Sequence, residues 1–283
     1  MMTTNSMDKM KGIKPSILLE QNKHTFTKAE TKIYEYIRNH SQQVIYHSLT
    51  ELSEASGVAE ATVLRFFRKL GFKGFQDFKF LFAQETLLAA QKDSHENIIR
   101  KIRNTMIQAI NESSEIVRLE DLQAGIDMIH QSDDVVIFGI GASGIAGLDM
   151  QNRLMRIGKH ASVVTDSHFQ IMRASSMTEK TVVIAISLTG STKDIVDAVK
   201  VAKQNNATVI ALTSYVKSPL TRFADLVLLS SAKESPLDSG SLVSKVAQMY
   251  LIDLLCTGLA MQKFEIAKSM NAKISENLSS KLY

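Results

Sequence analysis

Two short runs in this chain carry the residue types that hold an anion. Residues 139–144 read GIGASG, which satisfies G-x-G-x-x-G, and residues 187–192 read SLTGST. Glycines let a backbone approach a ligand closely, while hydroxyls and unpaired amides at a helix start attract negative charge. The first run follows the apolar stretch Val135–Phe138. Asp166 lies ~20 positions downstream, where a dinucleotide-binding unit keeps its ribose carboxylate. A dinucleotide site needs one glycine loop, however, and gives no reason for a second, hydroxyl-rich one. Two such loops at the carboxyl edge of one parallel sheet would instead bracket a single small phosphorylated molecule. Asp166 then serves better as the cap of the next helix.

The elements that must position these loops are written in the periodicity. Apolar runs at 135–140, 161–164, 181–187, 207–212 and 226–229 alternate with helical patterns, one of them from Asp194 to Asn205. Continuous rather than alternating apolarity means strands buried on both faces, hence a five-stranded parallel sheet flanked by helices. The first ~90 residues have helical periods and no convincing strand. Capping boxes at Thr27–Glu30 and Ser48–Glu51 open two helices, the first reaching about His40. Gly57–Val58 makes a turn, and a third helix runs from Glu60 to Leu70 with Gly71 as its left-handed stop. A further helical stretch, 72–90, precedes a polar join at 91–97, two more helices reach His130, and helix returns from Ser239.

The third helix is amphipathic in a particular way. At ~100° per residue, Val63, Phe67 and Leu70 share the inner face, and Ala61, Thr62, Arg65, Arg68 and Lys69 the outer one. Small residues near the start and cations further along suit a recognition helix entering the major groove, and Lys73 and Lys79 would extend the basic strip. The plainer alternative is a solvated cationic face, which the turn and the preceding helices argue against.

The stretch ATVLRFFRKLGFKGFQDFK, residues 61–79, closely resembles the signature of the RpiR family of bacterial transcriptional regulators. Ala59 departs from the usual Ser, removing an N-cap hydroxyl at a cost of ~1 kcal/mol. GIGASG followed by SLTGST resembles the SIS (sugar isomerase) domain, the usual C-terminal partner of that helix-turn-helix. The resemblance implies an α helix-turn-helix domain at 13–89, a linker with a helix at 90–119, an α/β SIS domain at 120–265 and a helical tail at 266–283. It also implies that Ser187, Thr189 and Thr192, with amides around Gly190 and Ser191, hold a phosphate. Ser143, with amides near Gly141 and Ala142, would contact the sugar. His168, in DSHFQ, either bonds the ligand or is a structural loop residue. Lys245 stands where the family has Arg, in SLVSKVAQMYLIDLL, and either touches ligand or forms a salt bridge within the dimer or the domain. Its point charge lacks bidentate geometry.

Composition sets the outer bounds. Among 283 residues, 33 are Lys or Arg and 29 Asp or Glu, a net charge of +4 that argues only weakly for an acidic partner. The lone Cys256 allows no internal disulfide and suits a reducing cytoplasm. The start, MMTTNSMDKMKGIK, has no apolar core of a signal peptide, and LIDLLCTGLAM is interrupted by Asp253. No paired His/Cys/Asp/Glu spacing suggests zinc, and neither a G-x-S-x-G elbow nor a P-loop is present.

These observations predict a cytoplasmic transcription factor, without cofactor, that binds double-stranded operator DNA as a homodimer or homotetramer. Its affinity would be controlled by a sugar phosphate, with a mild preference for an N-acetylated amino sugar 6-phosphate. The effector either releases a repressor or engages an activator. The competing reading is a sugar-phosphate isomerase using His168 and Glu234 for proton transfer, and a third is an NAD enzyme.

Overall fold

The computed structural model describes residues 14–90, 98–231, 242–279 and 281. The join at 91–97, Glu234 and the stretch 239–241 lie outside them. The chain divides at Ile98 into two compact units.

The first unit is all helix: α1 (Pro15–Asn22), α2 (Lys28–Asn39), α3 (Ser41–Val44), α4 (Leu49–Ser56), α5 (Glu60–Lys69) and α6 (Phe75–Ala90). Both capping boxes form. Thr27 and Ser48 accept from the amides of Glu30 and Glu51, whose carboxylates accept from the cap amides in return. Gly57, at φ 63°, ends α4, and Gly71, at φ 93°, follows α5. Ala59 provides no side-chain cap for α5. The core is aromatic. Phe67 lies 4.6 Å from Phe78 and 5.3 Å from Phe75 between ring centroids, and Phe66 meets Phe26 edge-on at 5.1 Å. Val63, Phe67 and Leu70 are buried as their spacing requires. Phe66 is buried as well, because α5 is enclosed on a wider arc than one stripe.

The second unit begins with α7 (Ile98–Ile116) and α8 (Leu119–Gln131) and then alternates strand and helix. Its elements are β1 (Asp134–Phe138), α9 (Ala142–Arg156), β2 (Ala161–Val164), α10 (Ser167–Ser175), β3 (Thr181–Ile186), α11 (Lys193–Gln204), β4 (Thr208–Thr213) and β5 (Leu226–Leu229). Helices α12 (Leu242–Gln262) and α13 (Phe264–Ser279) complete it. The five strands are parallel, in the order β2-β1-β3-β4-β5. Successive side chains of β1 enter different cores: Val135 and Ile137 join α8, α9 and α12, while Val136 and Phe138 join α10 and α11. Two covered faces explain why the strand reads as an unbroken apolar run.

Helix α12 is 21 residues long and apolar enough to be weighed as a membrane span. Its buried stripe, Ala247, Leu251, Leu255 and Leu259, accounts for that composition as core packing. The other long helix, α7, is fastened through Ala109 and Ser113. Ser231, two residues past β5, donates its amide to Ser113 Oγ and its hydroxyl to the Ala109 carbonyl, both at 3.0 Å. Ala109 and Ala247 pack with Leu188, the second residue of SLTGST.

Candidate functional site

The chain runs from β1 outward to the edge strand β2 and then crosses back to β3. Helix α9 therefore leaves β1 toward one face of the sheet, while α11 leaves β3 toward the other. Where outgoing helices part in this way, a crevice opens at the carboxyl ends of two hydrogen-bonded neighbours. Phe138 pairs with Ala185, so the register brings Ile140 beside Ser187. Both anion loops, one after each strand, thus flank one crevice.

The first loop is built on its glycines. Gly141, at φ 59°, caps α9 and supplies no side chain to its free amides. A Cβ on Gly139 would stand 2.7 Å from the Ser143 carbonyl oxygen, and one on Gly144 2.8 Å from Thr165 Cγ2. These two positions close the turn tightly against the helix, leaving Gly141 and Ala142 exposed and Ser143 half-buried in its first turn. The second loop hangs on β4. Leu188 O accepts from Thr213 Oγ1 and the Ser214 amide, and Gly190 O accepts from the Leu220 amide, at 2.9–3.0 Å. Gly190, at φ 59°, lies so close to Ser218 that a Cβ would come within 2.1 Å of its hydroxyl oxygen.

The hydroxyls gather along this loop. Buried Ser187 Oγ is 3.3 Å from Thr192 Oγ1. Thr189 Oγ1 accepts from the Ser191 amide, and Ser191 Oγ donates to the Thr189 carbonyl. Thr192 occupies the N-cap of α11 without making a side-chain cap bond, so the first-turn amides remain available to an oxyanion.

The remaining candidates lie on α10 and α12. Asp166 accepts from the Phe169 amide at 3.0 Å and caps α10; His168 is exposed in the first turn of that helix. Lys245 is half-buried on α12. One turn further, buried Gln248 donates from Nε2 to Ser143 Oγ at 3.3 Å. Sequence reasoning missed Gln248. The signal was one carboxamide on the apolar side of a helix.

In the first unit, Ala61, Arg65 and Arg68 are exposed on α5, and Thr62, half-buried, accepts from Arg65 Nη2 at 3.2 Å. Lys69 is exposed but bonded inward, to Glu30 Oε2 at 2.8 Å and the Thr25 carbonyl at 3.0 Å. Lys73 is exposed and gives its amide to Asp77. Lys79 does not extend the strip. It is 2% exposed, with Nζ donating to the His47 carbonyl at 2.8 Å and lying 5.3 Å from the Phe75 ring centroid. Burial pushes its amine down to about 8, against a smaller upward pull from Glu51. The spacing misled because a lysine stem can follow an apolar face.

A helix-turn-helix unit followed by a parallel α/β domain with two glycine- and hydroxyl-containing loops at one crevice defines the class. The Helix-turn-helix domain, rpiR family, matches residues 15–89, and the SIS domain matches 128–258. The chain belongs to the RpiR family of transcriptional regulators. It is 35% identical over 265 residues to an uncharacterized HTH-type transcriptional regulator of Clostridium perfringens, covering 90% of this chain and 95% of that one. It is 26% identical to the HTH-type transcriptional regulator RpiR of Escherichia coli, covering 90% and 88%. Among solved structures, it resembles the Vibrio vulnificus NanR protein complexed with ManNAc-6P, at 27% identity and a TM-score of 0.87, over 95% of this chain and all of that one. A putative phosphosugar isomerase of Bacteroides fragilis, at 17% identity and a TM-score of 0.53 over 61% of this chain, shares the fold of the second unit.

Proposed function

We propose that this chain regulates a sugar or amino-sugar catabolic operon, and that a phosphorylated sugar held between β1 and β3 sets its affinity for operator DNA. The observation that carries this reading is the pair of oxyanion loops on two hydrogen-bonded strands. Ser187, Thr189, Ser191 and Thr192, with the first amides of α11, hold the phosphate. Gly141, Ala142 and Ser143 face the sugar, with His168 and Lys245 at the rim. Lys245 and Gln248 are three positions apart and share a side of α12, which favours ligand contact for the lysine over a distant salt bridge. NanR was solved with ManNAc-6P over a nearly full-length match, which supports an N-acetylated amino sugar 6-phosphate as effector here.

On the DNA side, Ala61, Thr62, Arg65 and Arg68 meet the major groove, and Lys73 a phosphate; Lys69 does so only by giving up its bond to Glu30. The relatives that span the chain are named regulators, so it is read as a regulator and not an enzyme, acting in the cytoplasm. Exposed Ile145, Leu148 and Met155 on α9 and Phe264 and Ile266 on α13 support a homodimer or homotetramer.

The test is a band-shift titration on operator DNA with ManNAc-6P and other hexose 6-phosphates. Replacing both Ser187 and Thr189 with Ala should abolish the effector response and leave DNA binding intact. A normal response in the double variant moves the phosphate elsewhere.

A further inference from the structure

Along the buried side of α12, Ala247, Leu251, Ile252, Leu255 and Leu259 are apolar, and Gln248 is not. Its residue is 3% exposed. Taking a carboxamide out of water costs free energy unless it is hydrogen-bonded, and a methionine would fill the same space without that cost. Among the described residues, the bond it makes joins α12 to Ser143, 105 positions away in sequence and in the first turn of α9. Among the described residues, Ser143 Oγ has no other hydrogen-bond partner, and the cap of α9 is a glycine.

A serine hydroxyl has one proton to donate and two lone pairs that accept. Gln248 Nε2 occupies a lone pair and leaves the proton. We propose that Gln248 is a positioning residue of the effector site. Its carboxamide N–H holds Ser143 as an acceptor, so that the Ser143 hydroxyl proton is presented to an oxygen on the sugar. The polarity selects ligands that place an acceptor there, such as a carbonyl, acetamide or hydroxyl oxygen, over those that place an ammonium. The inference rests on the crevice being a sugar-phosphate site.

The experiment uses the full chain and calorimetric titration with the sugar phosphate that stabilises the wild type most in a panel including ManNAc-6P, with inorganic phosphate as second probe. Gln248→Met should weaken the sugar phosphate about tenfold, the scale of one misdirected hydrogen bond, and leave inorganic phosphate unchanged. Gln248→Glu keeps the volume but accepts where Gln donates, and should weaken the sugar phosphate at least as much. It serves equally if the methionine variant does not fold. Combining Gln248→Met with Ser143→Ala should add nothing to the loss from Ser143→Ala alone, which a purely structural role for Gln248 would not produce. Unchanged sugar-phosphate affinity in the Gln248 variants, or losses that add, overturns the proposal. If no sugar phosphate in the panel binds the wild type, the reading of the crevice fails first and takes the proposal with it.

Discussion

Lys79 illustrates how a single side chain can reverse its expected part. Burial lowers its amine to about 8, from 10.5. Between those values the unfolded chain keeps a proton that the folded chain has shed, so the first unit gains stability as pH rises from about 8 to 10.5. Below that window the cost of burying the charge is fully present, on the order of 3 kcal/mol. Lys79→Met should therefore raise the thermal midpoint at pH 7 and flatten its rise between pH 8 and 10, as calorimetry would register. At Arg65, exposed on α5, substitution by Ala should weaken operator binding and relax base preference at one position by about 1–3 kcal/mol. Its melting temperature should stay at the wild-type value, and undiminished specific binding would mean that another face reads the DNA. Cys256 is buried, and burial pushes its thiol up to about 12; a thiol reagent at pH 7 should label it only as the chain unfolds. Placement was legible where residues sit in one contiguous loop, as at Ser187 and Thr192, whose hydroxyls do come together. It was illegible at Gln248, whose partner is a third of the chain away.

At the scale of elements, glycines sort by what surrounds them. Gly57 and Gly190 both have φ near 60°, but a Cβ on Gly57 would meet open space, and one on Gly190 would strike Ser218. Gly57→Ala should cost about 1 kcal/mol from backbone strain alone. Gly190→Ala should cost at least about twice that and displace the loop 187–192 from β4, visible as lost effector binding even below the melting transition if that loop holds the phosphate. Helix starts and strands were readable because caps and two-sided burial act locally: both capping boxes and all five strands lie where the sequence puts them, within about two residues. The short α3 was not anticipated. Strand order was another matter, since nothing in the residues of β2 says that it pairs at the edge beside β1, and the neighbouring placement of the two loops follows from that order.

For the whole molecule, self-association and signalling are the testable properties. Sedimentation at micromolar concentration should give a dimer or tetramer, and Leu148→Glu on the exposed side of α9 should shift it toward monomer. The family was legible because its motifs occupy short contiguous runs in both units, while His168 and Lys245 stand singly on α10 and α12, with no neighbouring run to fix what they do. The fastening of α7 has a mechanical corollary. With Ala109 and Ser113 bonded to Ser231, and Ala109 packed on Leu188, this stretch of the helix sits directly against the loop 187–192. Ser113→Val should remove the acceptor of the Ser231 amide, and if the loop is coupled to α7 through this contact, band-shift titration should find effector affinity near wild type and a smaller effect of bound effector on DNA affinity.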